Sequence, residues 1–249
     1  NIVTNKSIKN EYIIEDVNFF INAPVELQII DTFWCMTVGK KLQNKINTNV
    51  LYANILDIDK KNNFNSKNLY KKYFSQYATW RDGAINNVEK LHTEQEKSSI
   101  IFSLDIQKYY YNINLNYKKL HKYTKNRIFS RLTDILNAIH IQYRKKIKYY
   151  LSSNIKKNNF LPIGLLSSGI IANWYLSDFD ELVINKLSPA YYGRYVDDIL
   201  LVLETDEKVT NFNSDKELLS NYFKESGIFN IDKDNNLDFS LKYFSNLKI

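Results

Sequence analysis

The chain has 249 residues, 44% of them hydrophobic and 24% charged, proportions of a soluble globular protein with a real core rather than of a disordered chain. A net charge of +7 favours polyanionic partners, because each neutralised phosphate releases a counterion. The single cysteine, Cys35, excludes an internal disulfide or a cysteine-based zinc site, and no apolar run approaches the roughly 20 residues that span a bilayer. A reducing, cytoplasmic setting without a membrane partner is expected. The sequence opens on Asn1 without a signal-peptide pattern and reads as an excerpt of a longer chain.

Six glycines and three prolines predict long regular elements. Ala23-Pro24 opens a helix, with Asn22 as its cap, and Leu27, Ile30, Trp34, Val38 and Leu42 recur at helical spacing. Residues 50–55 read as a strand and 60–66 as a polar, basic loop. Leu69, Tyr73, Tyr77, Trp80, Ala84, Val88 and Leu91 mark a second long helix. Residues 99–106 form a short apolar run ending near Asp105, a buried strand. Residues 126–150 are a helix rich in Lys and Arg, 158–164 a loop and 166–186 another helix. Two apolar runs, 190–196 and 199–204, are separated only by Asp197-Asp198, a hairpin with two acids at its tip. A helix over 206–226 and short strands over 228–241 complete a mixed chain of the α+β class.

The hairpin carries the strongest chemical signal. In Tyr195-Val196-Asp197-Asp198, two carboxylates lie between apolar strands, where like charges repel and desolvation worsens the cost. A compensating cation is the usual remedy, and a two-metal site supplies it. An ordinary acidic turn is the structural alternative. Asp105, at the end of another strand, offers the third carboxylate that such a site needs, although a lone strand-end Asp is often structural. Leu161-Pro162-Ile163-Gly164, before Ser167-Ser168-Gly169 and Ala172-Asn173, brings a glycine whose backbone can approach a ligand closely.

Taken in order and spacing, the Asp105 strand, the Pro-x-Gly loop and the Tyr-x-Asp-Asp hairpin resemble the palm motifs of reverse transcriptases from about Arg81 to Phe239, most of all the bacterial retron, group II intron and abortive-infection types. The resemblance implies a right-hand polymerase palm with fingers, its antiparallel sheet backed by helices. Residues 1–98 would be mainly fingers and 99–249 mainly palm, with a fingers-side insertion at about 120–160. It implies RNA-directed DNA synthesis, with dNTPs joined to a 3′-hydroxyl. Asp105 and Asp197 would hold two Mg²⁺ ions (Mn²⁺ as an alternative), Asp198 would complete the set and the Ile106 carbonyl would assist.

The family's motifs also imply that Tyr110, five residues after Asp105, is the aromatic gate that excludes a ribose 2′-hydroxyl; the alternative is that Tyr109, Tyr110 and Tyr111 are ordinary core and surface rings. Ile163 and Gly164 fall on the loop beside the nucleotide. Lys233, in Asn230-Ile231-Asp232-Lys233, matches a lysine near the departing pyrophosphate, and Arg81 is a candidate for the triphosphate. Each of these two could equally be a surface charge.

Two departures stand out. Many relatives carry Gln at the position of Ile163, and often Ser-Pro where this chain has Ser168-Gly169. Both are more familiar among defence-associated members, so a role in anti-phage defence is expected. No thumb follows Leu237-Asp238-Phe239, and an additional C-terminal region or another element is expected to do its job. The expected partners are an RNA template, a DNA or protein primer and dNTPs, with a homo-oligomer also considered. Template-independent or protein-primed synthesis by the same palm, and a catalytically silent nucleic-acid-binding module, are the alternatives.

Overall fold

A computed structural model describes residues 6–8, 11–13, 17–65, 68–153, 155–206, 212–231 and 239–249. A short hairpin, β1 (Lys6–Ile8) and β2 (Glu11–Ile13), precedes α1 (Val25–Trp34), which runs through a π-helical turn (Cys35–Gly39) into α2 (Lys40–Gln43). Of the predicted stripe, Trp34, Val38 and Leu42 are buried and Leu27 and Ile30 half-buried. The N-cap is Pro24, not Asn22: proline lacks only an N–H, while its carbonyl accepts from Gln28 N at 3.1 Å.

No strand forms over 50–55. Thr48–Val50 is a 3-10 turn and Leu51 makes a single parallel bridge to Arg194. Asn54 adopts a left-handed φ of 51°, which ends any extended run.

The second long helix, α3 (Tyr73–Gln95), starts after Leu69, which lies in the preceding loop. It leads into β3 (Ser99–Asp105), followed by two short helices, α4 (Tyr109–Asn112) and α5 (Tyr117–His121), and the long basic α6 (Arg127–Ile147). The predicted helix over 166–186 is two, α7 (Leu166–Tyr175) and α8 (Ser177–Leu187), broken at Leu176. The hairpin follows as β4 (Tyr191–Tyr195) and β5 (Asp198–Glu204). Then come α9 (Asp215–Phe223), shorter than the helix expected over 206–226, and β6 (Phe229–Ile231), β7 (Phe239–Leu241) and β8 (Phe244–Lys248), a second antiparallel sheet.

The central sheet is antiparallel, in the order β3-β5-β4. Its register puts Asp105, Asp198 and Tyr195 side by side at one end. The same face carries Tyr191 and Val202, which pack with Ala84 and Leu91 of α3. The opposite face carries Phe102, whose ring lies 4.9 Å from that of Phe223 on α9. β3 is covered on one face only: Phe102 is buried, but Ile101 is 44% exposed, so the strand is not buried as a whole. Close approach fixes α3 on the sheet. Tyr191 donates from its hydroxyl to Trp80 O at 2.7 Å, and Trp80 Nε1 donates to Gly193 O at 3.0 Å. A Cβ on Gly83 would sit 2.8 Å from the Tyr191 ring, and one on Gly193 would run into the Tyr191 hydroxyl.

Candidate functional site

The hairpin turns through Val196 and Asp197 alone, since Tyr195 and Asp198 are paired across it. Asp198 is therefore the first residue of β5 rather than part of the tip. Val196 has a φ of 62°, a region that a β-branched residue enters only under strain. Arg194 counters that strain. Its guanidinium is fully buried and donates from Nη1 to Val196 O at 2.8 Å. It also grips Asp180 of α8 through Nε (2.8 Å) and Nη2 (2.7 Å) and reaches Asn173 O at 3.1 Å. Burial alone would lower the Arg194 pKa; the Asp180 carboxylate outweighs it and holds the guanidinium charged. Tyr192 donates to the same carboxylate at 2.6 Å.

Asp105, Asp197 and Asp198 meet at this end of the sheet. Asp105 lies opposite Asp198, and Ile106 N donates to Asp197 O at 3.2 Å, extending the ladder past the turn. Asp197 is half-buried, and its pKa is pushed up to about 6, first by burial and then by the charges of Asp198 and Asp105. Burial, then Asp105, also raises Asp198. The three acids thus feel one another, yet among the described residues no three acidic, histidine or cysteine side chains form a ready-made metal cage. The donor set suits a hard cation of the Mg²⁺ kind, which is bound through one or two carboxylates together with waters and substrate phosphates rather than by an all-protein cage. A cleft of about 490 Å³ opens along β3 from Ile101 to Asp105, walled by Leu218 and Leu219 of α9 and by Ile249.

The aromatic run after β3 is helical, not extended, so its three tyrosines point in different directions instead of alternating between two faces. Tyr109 is buried and donates to Ala172 O at 2.6 Å; Tyr111 packs in a separate cluster with Phe160. Tyr110 is half-buried, its hydroxyl pKa raised first by burial and then by the charge of Asp197. It is therefore the ring of the three on which the acidic hairpin bears. Leu161 N donates to Tyr110 O at 3.0 Å, which brings the Pro-x-Gly loop alongside. Gly164 in that loop has a φ of 102°, accessible mainly to glycine.

Other candidates lie elsewhere. The Ile163 side chain packs against the cluster of Tyr111, Tyr143 and Phe160, and its carbonyl accepts from Ile21 N at 2.9 Å. The side chain of Ile106 is fully buried in the core. Arg81 is exposed and pairs with its own neighbour Asp82, Nε to Oδ1 at 2.8 Å; no contact among the described residues brings it to the acids. Lys233 lies outside the described residues.

Several residues around the site carried no sequence signal. Besides Arg194 and Asp180 they include Asn54, against which Gly169 packs so tightly that a Cβ would lie 2.5 Å from Asn54 Cγ. Asp31 of α1 caps the start of α7, accepting from Leu166 N at 2.6 Å and Ser167 N at 3.2 Å; burial nonetheless raises its pKa. An acid at the seventh position of a helix gives no reason to look for a distant helix end.

No helix among the described residues is long and apolar enough to cross a membrane. No curated protein matches the chain. Residues 33–233 match the family described as "Reverse transcriptase (RNA-dependent DNA polymerase)", a span that contains α3, the Asp105 strand, the Pro-x-Gly loop and the acidic hairpin. The family implies a polymerase palm and a divalent-metal requirement, and with most of its length matched the chain belongs to the reverse transcriptases, nucleotidyltransferases that polymerise DNA on RNA.

Proposed function

We propose that the chain adds dNTPs to a primer 3′-hydroxyl by two-metal nucleotidyl transfer, with Asp105 and Asp197 as the shared ligands and Asp198 beside them. The observation that carries this reading is the meeting of three carboxylates at one sheet end: Asp105 lies opposite Asp198, and Asp197 stands in the adjoining turn with its pKa raised by burial and by both neighbours, a charge arrangement that favours a bound cation. Two Mg²⁺ ions held there would lower the pKa of the attacking hydroxyl and stabilise the in-line transition state. The chain's own residues do the rest. The Asp197 and Asp105 carboxylates fix where the α-phosphate lies, with the Ile106 carbonyl assisting. Tyr110 occupies the space a 2′-hydroxyl would need. Arg194 keeps the hairpin tip rigid while charge builds up in front of it. Gly164 lets the loop backbone approach the nucleotide, and Arg81 and Lys233 are assigned to the triphosphate and the departing pyrophosphate. Residues 1–98 would serve mainly as fingers and 99–249 mainly as palm, and the biological setting we favour is bacterial anti-phage defence.

A second reading, untemplated or protein-primed synthesis, draws on Ile163. Where relatives offer a glutamine, this chain turns an apolar side chain into a core cluster. Incubating the protein with an RNA template, a DNA primer, Mg²⁺ and dNTPs tests both. Products complementary to the template and ending at its 5′ end support the first reading. Homopolymeric or random DNA supports the second. No incorporation with either Mg²⁺ or Mn²⁺ overturns both.

A further inference from the structure

The first turns of α3 expose an unusual group of rings. Tyr73 is 60% exposed, Phe74 84% and Tyr77 39%. Tyr73 and Tyr77 lie nearly parallel, at 16°. Both meet the Tyr195 ring edge-on, at 5.8 and 5.4 Å, and Trp80 closes the group from beneath, 5.7 Å from Tyr195. Trp80 is itself pinned to β4 through Gly193 O, so the group rests on the sheet rather than on a loop. Tyr195 is the cross-strand partner of Asp198, which makes the rings continuous with the acidic site. Lys71 and Lys72, both exposed, stand at the entrance to α3.

We propose that these rings form a shelf on which the bases of a single nucleic-acid strand stack as it passes the acidic hairpin, with Lys71 and Lys72 meeting its phosphates. Large exposed aromatics are costly in water and need a reason. Flat rings beside cations match the chemistry of single-strand recognition, in which bases stack on aromatic faces and the backbone follows positive charge. The chain's charge of +7 points the same way. An unpaired strand suits the shelf because only unpaired bases offer their faces. By contrast, the exposed stripe of Val25, Ile29 and Phe33 on α1 is largely aliphatic, and nothing in the structure indicates what covers it. The shelf rests on the reading of Asp105, Asp197 and Asp198 as a nucleotidyl-transfer site, since that site gives a strand its reason to run past Tyr195.

Binding of a fluorescent oligothymidylate and of an abasic oligomer of equal length, in chelator and without nucleotides, separates stacking from charge. The wild type should prefer the base-bearing strand, and Tyr73→Ala with Phe74→Ala should weaken that strand roughly 5- to 100-fold while leaving abasic binding and the salt slope unchanged. Phe74→Trp should preserve the preference, whereas Phe74→Leu should not. Equal wild-type affinity for the two oligomers overturns the shelf without any variant. So does a double variant that turns a self-associating protein into a monomer with oligomer affinity intact, which would make the face a contact between copies. dNTP incorporation measured in parallel keeps the two ideas apart. Incorporation without base preference sinks the shelf alone; base preference without incorporation supports the shelf as a binding surface and counts against the polymerase reading.

Discussion

On the proposed reading, Tyr110 is the side chain that selects deoxyribose over ribose. Its ring is half-buried and under the influence of Asp197, while Tyr109 is committed to Ala172 in the core. Exclusion of a 2′-hydroxyl is steric, and repulsion is steep where attraction is shallow. Tyr110→Ala should therefore relax the choice of dNTP over rNTP by about tenfold or more, equivalent to about 1.4 kcal/mol or more. Single-nucleotide incorporation with each sugar measures it, and an unchanged ratio removes Tyr110 from the gate. Asp197 makes a separate prediction about stability. Its folded pKa of about 6 lies above the ordinary 3.8, so the protonated form favours the fold. That contribution is complete below about pH 4 and is lost as pH rises through 6. Without metal, Asp197→Asn should be more stable than the wild type at pH 7 by about 1–2 kcal/mol, allowing for partial exposure, and nearly equal to it at pH 4. Urea melts in chelator at both values provide the check, and a difference that does not change with pH contradicts the assignment. The acids were legible as a group because the Asp105 strand, the Pro-x-Gly loop and the hairpin occur in one order and spacing; each acid alone could equally have been structural. Arg194 was not. In Tyr-Gly-Arg-Tyr a charge reads as the solvent side of a half-exposed strand, but α8 covers that side and supplies Asp180.

Elements were legible where periodicity was long and misread where tertiary contacts overrode local pattern. The helices over 25–43 and 73–95 follow from their apolar spacing, and the one over 127–147 lies within the basic helix expected over 126–150. Residues 50–55 look like a strand because Leu51, Ala53 and Ile55 alternate and are indeed buried, but Asn54 turns left-handed and its neighbours pack without a partner strand. The break between α7 and α8 at Leu176 has no glycine or proline to announce it. The joint between these helices and the hairpin is the buried Arg194–Asp180 pair. Removing one partner leaves an uncompensated charge in the core, so Arg194→Met should cost about 3–5 kcal/mol. The double substitution Arg194→Met with Asp180→Leu should recover part of that loss, since no charge is then left unpaired. Chemical denaturation of the wild type, Arg194→Met, Asp180→Leu and the double variant is the measurement. If the double substitution loses the sum of the two single effects, the two residues do not act as a pair.

At the scale of the molecule, the α+β class and the antiparallel pairing of the hairpin strands could be read in advance, but not the register: a tip at Asp197-Asp198 pairs Val196 with Ile199, whereas the turn is Val196-Asp197 and pairs Tyr195 with Asp198. The long-range ties could not: Asp31 reaching α7 and Tyr191 gripping α3 depend on contacts between segments more than a hundred residues apart. The charge of +7 and the basic α6 predict that duplex binding weakens with salt, with a slope of log K against log salt of about −0.9 for each phosphate neutralised. A flat titration between low and physiological salt would remove the backbone from the interface. Nucleotidyl transfer at the three acids is the central proposal. The most direct test is divalent-metal-dependent incorporation of a labelled dNTP by the wild type, Asp105→Asn and Asp197→Asn, with folding verified by melting. The wild type should incorporate the nucleotide and both variants should lose incorporation by several orders of magnitude while they remain folded; incorporation retained by either folded variant would contradict nucleotidyl transfer at these acids.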